Sequence, residues 1–215
     1  MNNILPGSFF TVAEEIANAI THGIGAALAI AGTVVMIVTA AMTGDPWKIV
    51  SVSIYGATLI LLFLMSTLYH ALVPEKAKRV FRVFDHSSIF LLIAGSYIPY
   101  TLVTLRGPLG WTIFGLVWAL AIVGVVLNCI SIERFEKFSL AAYLGMGWCI
   151  VIAIVPLIRL LPAGGLAFLV TGGLAYTFGV YFYRKDTVKY MHSVWHLFVL
   201  AGALLHYFAV QFYVI

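Results

Sequence analysis

Long apolar runs, separated by short polar clusters, follow one another along almost the whole chain. Seven of them reach the roughly 20 residues that a helix needs to cross the hydrocarbon core of a bilayer. They cover residues 16–42, 48–72, 85–105, 109–131, 139–160, 164–183 and 191–213. Strands of a membrane barrel would alternate apolar and polar positions over about ten residues, and these runs do not. The pattern therefore predicts an all-α fold, a single seven-helix transmembrane domain over 1–215 with short loops and no soluble domain. No internal repeat, linker or low-complexity tract is visible, and an odd number of spans argues against a simple two-halves transporter.

Composition sharpens this picture. The chain is 63% hydrophobic and 9% charged, with a mean hydropathy of +1.07, a balance that excludes a soluble domain of this size. Residues 1–15 lack a positive n-region and carry Glu14 and Glu15 instead, so no cleaved signal peptide is expected. Cys129 and Cys149 form no metal-like cluster and read as small buried hydrophobes. Glycines inside the runs (Gly23, Gly25, Gly145, Gly147, Gly172, Gly173) read as packing devices for close helix approach. Pro99 and Pro156 are expected to kink their helices and open space between them. Trp47, Trp111, Tyr181, Tyr183 and Tyr190 lie near span ends, as an interfacial belt would.

Charge gives an orientation. Loops 2–3, 4–5 and 6–7 hold Lys76, Lys78, Arg79, Arg82, Arg134, Lys137, Arg184, Lys185 and Lys189, whereas the opposite side holds Lys48, Arg106 and Arg159. Nine against three predicts a cytoplasmic N-terminus and an external C-terminus. The pI near 9.1 then reflects loops facing an anionic leaflet, with Lys76, Lys78 and Arg79 at the membrane surface, and calls for no nucleic-acid partner.

On that topology the polar residues inside the spans converge near the cytoplasmic end. His192 and His196 open the last run at i and i+4, on one helix face, where two imidazoles can grip one ion. His70 closes the second run at a similar depth. Three histidines are costly in hydrocarbon without a partner, and three protein ligands are the count of a catalytic zinc that keeps a fourth position for water. Ser66 stands one turn before His70, where it either orients a water or ligand ring or bonds back to the carbonyl of residue 62. Asp85 either favours the positive end of its helix, pairs with Arg82 or a loop lysine, or faces the histidines as general base. Glu15, Asn18 and His22 form one stripe that either supports the site or caps and hydrates the helix entry. His86 reads as a neighbouring hydrogen-bonder. His206, about 21 Å beyond His192 at 1.5 Å per residue, reads as a packing histidine toward the outer half.

Taken together, Glu15-x-x-Asn18-x-x-x-His22-Gly23, Ser66-x-x-x-His70, Asp85-His86-Ser87 and His192-x-x-x-His196 resemble the hemolysin III branch of the progestin and adipoQ receptor family. The resemblance runs in order through essentially the whole chain. It implies a multi-pass protein of the bacterial inner membrane, with a role in membrane homeostasis and a zinc ion near the inner leaflet. It also implies His70, His192 and His196 as ligands, with Ser66 and Asp85 placing water. Adiponectin receptors and the more distant alkaline ceramidases suggest lipid amide hydrolysis.

Two functions compete. In one, zinc and Asp85 activate water against an amide or ester of a membrane lipid. In the other, the protein senses membrane state, with a structural zinc that takes Asp85 as its fourth ligand. A transporter would want polar residues continuing through the membrane, whereas here His206 is nearly alone in the outer half. Retinal-based signalling lacks the required lysine in the last span.

Overall fold

The computed structural model describes residues 9–215. Residues 1–8, which carry most of the signal-peptide expectation, lie outside them. Helix α1 (Val12–Thr43) begins at a capping box. The Thr11 hydroxyl accepts the Glu14 N–H at 3.4 Å, and the Glu14 carboxylate accepts the Thr11 N–H at 3.0 Å, so two otherwise orphaned donors are satisfied reciprocally. It ends at Gly44, whose left-handed φ of 70° suits a residue without Cβ. Asp45 then caps α2 (Pro46–Ala71) by accepting the Trp47 N–H at 2.9 Å. This tight connection sets α1 and α2 side by side and antiparallel.

The remaining spans are α3 (Glu75–Pro99) with a π-helical turn at Tyr100–Thr104, α4 (Pro108–Ile130), α5 (Ile132–Trp148), a 3-10 turn at Cys149–Ala153 leading into α6 (Ile154–Leu160), α7 (Ala163–Tyr183) and α8 (Met191–Tyr213). Counting α5 and α6 as one, seven helical segments among the described residues are long and apolar enough to cross a membrane. Both prolines act on their helices. Proline has no N–H and crowds the carbonyl four residues earlier. The helix loosens to a π-turn directly after Pro99, and it tightens to 3-10 geometry just ahead of Pro156.

Helix α1 packs against both α2 and α8, α2 against α3, α3 against α4 and α5, and α7 against α8 and α5. Helix α1 thus lies where residues of α2 and α8 can meet. Large apolar side chains such as Ile20, Val34, Ile122, Val126, Phe178 and Phe212 are exposed on the outside. Glu14, Glu15, Asn18, His22, Lys78 and Asp85 are buried inside. This inverts a water-soluble fold and suits a hydrocarbon solvent, which offers no hydrogen bonds to its solutes.

Several expectations need correction. Cys129 is exposed on the outer face rather than buried. A Cβ on Gly145 or Gly147 would meet nothing within 4 Å, so neither is a packing device, whereas at Gly25 it would lie 2.5 Å from the Phe63 ring. Trp47 and Trp111 meet edge-on at 6.1 Å, with Arg106 over Trp47, as a belt would have them. Tyr183 instead turns inward and lines a cavity.

Candidate metal centre

Helices α2 and α8 bring His70, His192 and His196 together at one end of the bundle. One ring nitrogen from each lies within 4.8 Å of the other two, and the residues are 2%, 7% and 0% exposed. The neighbours dictate which nitrogen is free. His70 Nδ1 donates to Glu15 Oε2 at 2.6 Å, and His70 Nε2 has no partner among the described residues. Thr21 already donates its hydroxyl to the carbonyls of Ala17 and Asn18. Its oxygen can therefore only accept from His196 Nδ1 at 3.2 Å, alongside the Asn18 carbonyl at 3.3 Å. His196 Nε2 is left without a partner, as are both nitrogens of His192. A ring that donates through Nδ1 presents a bare lone pair at Nε2, which is how a metal-binding imidazole is prepared. Buried orphan nitrogens converging on one point are costly unless something binds them. The trio can therefore hold a metal ion.

Helix α1 supplies the surrounding frame. Glu15 Oε1 takes the Lys78 ammonium at 2.7 Å, and that ammonium also donates to the Tyr69 carbonyl at 2.9 Å. Lys78 is fully buried. The expectation that it sits at the membrane surface is therefore wrong, because the buried carboxylate needs a cation at that point. Asn18 Oδ1 accepts the Ser193 hydroxyl at 2.5 Å. Glu14 Oε1 accepts the Tyr190 N–H at 2.9 Å, bracing the start of α8. The stripe on α1 thus supports the histidines rather than merely hydrating a helix entry. His22 stacks on His196 with centroids 3.5 Å apart and planes 9° from parallel.

Asp85 is 5% exposed and lies outside the close trio. Arg82 does not pair with it, since the Arg82 guanidinium is taken by Glu133 of α5. Asp85 instead lines a narrow cavity of about 150 Å³ together with His22 and His192. His86 donates through Nδ1 to the Arg82 carbonyl at 3.0 Å, the neighbourly role expected of it. The Ser66 hydroxyl is buried with no partner among the described residues, so of its two readings the back-bond to residue 62 is not made. Its neighbour Thr67 does make such a bond, to the Phe63 carbonyl at 2.6 Å.

Beyond this end the cavity runs between α3, α5, α7 and α8 along mainly apolar walls such as Ile89, Leu92, Leu144 and Val199, as far as His206. His206 donates through Nε2 to the Leu169 carbonyl at 3.1 Å and packs where a Cβ on Gly172 would stand. Lys78 is the site residue that sequence reasoning missed. A signal existed, because Lys78 and Asp85 are seven residues apart and share one face of α3.

Comparison with known proteins places the chain in a family. The family described as "Haemolysin-III related" matches residues 10–207. The chain is 45% identical over 204 residues to "Hemolysin-3" of Bacillus cereus, covering 95% of this chain and 93% of that one. It is 44% identical to the "Hemolysin-3 homolog" of Bacillus subtilis, covering 95% and 96%. It is also 30% identical over 209 residues to the human "Monocyte to macrophage differentiation factor", covering 94% and 85%. With seven apolar spans and these bacterial relatives, it is a multi-pass bacterial membrane protein.

Proposed function

The chain belongs to the haemolysin-III-related family, and from that premise we propose that it is a zinc-dependent hydrolase of a membrane lipid amide or ester that contributes to membrane homeostasis. The observation that carries the reading is the convergence of unpartnered imidazole nitrogens on His70, His192 and His196, of which His192 lines a mainly apolar cavity. Three neutral nitrogens are the donor set of a catalytic zinc with an open position. Zinc held there would act as Lewis acid on the scissile carbonyl and lower the pKa of water toward about 7.

The protein's own residues do the rest. The Glu15–Lys78 pair cancels its own charge, so Asp85 is the carboxylate left to balance a dication. Asp85 shares the cavity with His192 and would serve a metal held by the trio through water rather than as a direct ligand. Asp85 would take the proton of the attacking water as its oxygen adds to the carbonyl carbon, and would return it to the leaving nitrogen or oxygen as the bond to carbon breaks. Ser66, with a free hydroxyl one turn from His70, orients the water. The apolar walls hold one acyl chain and exclude bulk water. On the orientation read from the basic loops, the site sits below the cytoplasmic headgroups, near the linkage bond of a lipid.

The test is zinc content and turnover of a panel of lipid amides and esters, measured on the same preparations. Wild type should hold one zinc, and His192→Ala should lose it. Asp85→Asn should keep zinc while turnover falls about 100-fold or more. Full activity with full zinc in Asp85→Asn would remove the mechanism. Loss of zinc and thermal stability together in that variant, with no turnover by wild type, would make the zinc structural and the protein a sensor of membrane state.

A further inference from the structure

We infer that the far end of the cavity is a second polar subsite, which accepts a hydroxyl on the tail of the lipid ligand through Tyr100. The inference deepens the lipid-hydrolase reading and rests on it. Asp85 and Tyr100 both line the cavity and are fifteen residues apart on one helical path, about 22 Å at 1.5 Å per residue. His192 and His206 are separated by a similar distance on α8, which runs in the same direction as α3. Both far residues therefore lie past the bilayer midplane when seen from the histidine trio, since half the hydrocarbon core is about 15 Å thick.

Tyr100 is 2% exposed and its hydroxyl has no partner among the described residues. Two of the polar residues that line the cavity with it are already engaged. Tyr97 donates to the Met146 carbonyl at 2.6 Å, and Thr177 to the Gly173 carbonyl at 2.8 Å. His206 spends Nε2 on the Leu169 carbonyl, which leaves its Nδ1 as an acceptor, and Tyr176 packs edge-on against it with centroids at 5.4 Å. An orphan hydroxyl deep in hydrocarbon is unfavourable, because lipid tails offer it nothing. The backbone also departs from α-geometry at this residue, where the π-turn begins, and such turns are frequent at functional sites. Tyr100 thus adds a second polar side chain near His206 at the far end of the cavity. The cavity is polar at both ends and apolar between them. An unbranched chain with one polar group at the metal and another at its far end matches that pattern, and a plain acyl chain leaves Tyr100 unsatisfied.

Palmitate, ω-hydroxypalmitate and α-hydroxypalmitate, as analogues of a released acyl chain, test this directly. Each displaces labelled palmitate from the zinc-loaded protein in nanodiscs, for wild type and for Tyr100→Phe, which keeps the ring and its packing. In wild type the ω-hydroxyl probe should gain about tenfold relative to its affinity for Tyr100→Phe, the scale of one good hydrogen bond. Palmitate and α-hydroxypalmitate should bind both proteins alike. A wild-type to variant ratio near one for the ω-hydroxyl probe, with palmitate still binding in a metal-dependent way, removes the subsite and leaves the hydrolase reading standing. Palmitate that fails to bind, or that binds equally to metal-free His192→Ala, removes both.

Discussion

Glu15 joins two requirements in one carboxylate. One oxygen fixes the His70 tautomer and the other neutralises the buried Lys78. The two roles separate by mutation. Glu15→Gln should weaken zinc binding by about 10–100-fold, the usual effect of losing the partner that orients a metal-binding histidine. It should also destabilise the fold by about 3–5 kcal/mol, because an unpaired ammonium is left inside. The double variant Glu15→Gln with Lys78→Met removes the stranded charge. Its melting temperature should recover toward wild type while its zinc affinity stays low, as read by thermal unfolding and metal competition on the same samples. Recovery of both together would mean that Glu15 serves only the lysine. The histidines themselves were legible in the sequence, since imidazoles at i and i+4 inside an apolar run are conspicuous. Lys78 was not, because a lysine among Lys76, Arg79 and Arg82 reads as interfacial charge until α3 is phased against Asp85. Ser66 was legible as a neighbour of His70, but only the structure shows that its hydroxyl forgoes the usual helical back-bond.

Hydropathy located every span among the described residues, yet it placed two starts too late. Helix α3 begins at Glu75 rather than near residue 85, and α5 at Ile132 rather than near 139. A hydropathy run marks where a helix enters hydrocarbon, not where its hydrogen bonding begins, and these two helices lead with charged turns. In α5 the start is a cap, with Ser131 accepting the Arg134 N–H at 3.3 Å. Helix contacts were less legible than helix positions, because a glycine in a run says nothing of what it faces. Gly172 and Gly145 make the contrast measurable. A Cβ at Gly172 would lie 2.2 Å from the His206 ring and 3.2 Å from the Gly202 carbonyl oxygen. Gly172→Ala should therefore cost about 1–3 kcal/mol, as overpacking does. A Cβ at Gly145 meets nothing within 4 Å, so Gly145→Ala should be neutral or stabilising by up to about 1 kcal/mol, the helix preference of alanine. Equal melting temperatures for the two variants would contradict the packing of α7 on α8.

The orientation of the whole molecule decides which leaflet the site serves. Among the described residues seven helices are long and apolar enough to cross a membrane, and the histidine trio lies at the end where α1 begins, with His192 and His196 at the start of α8. The structure changes one term of the charge argument. Lys78 is buried against Glu15, so it no longer counts as a free loop charge, and nine against three becomes eight against three. The bias keeps its sign, because Lys76, Arg79 and Lys137 near the starts of α3 and α5, and Arg184, Lys185 and Lys189 between α7 and α8, remain at the histidine end. At the opposite end Arg106 lies over the Trp47 ring, with its centre 4.6 Å from the centroid, a mixed aromatic and basic edge suited to the other interface. A reporter active only outside the cytoplasm, fused after Ile215, should therefore give a signal, and the same reporter placed in the loop between Tyr183 and Met191 should not. The reverse pattern would put the trio in the outer leaflet, where a hydrolase would meet lipids of the external face. Reversing the signs of Lys185 and Lys189 together, to glutamate, should move part of the population toward that inverted state, because the loop bias acts through basic residues close to the span ends. Neither residue touches the trio. A fully folded, zinc-loaded fraction with inverted reporter signals would then show that orientation is set by loop charge independently of the metal centre.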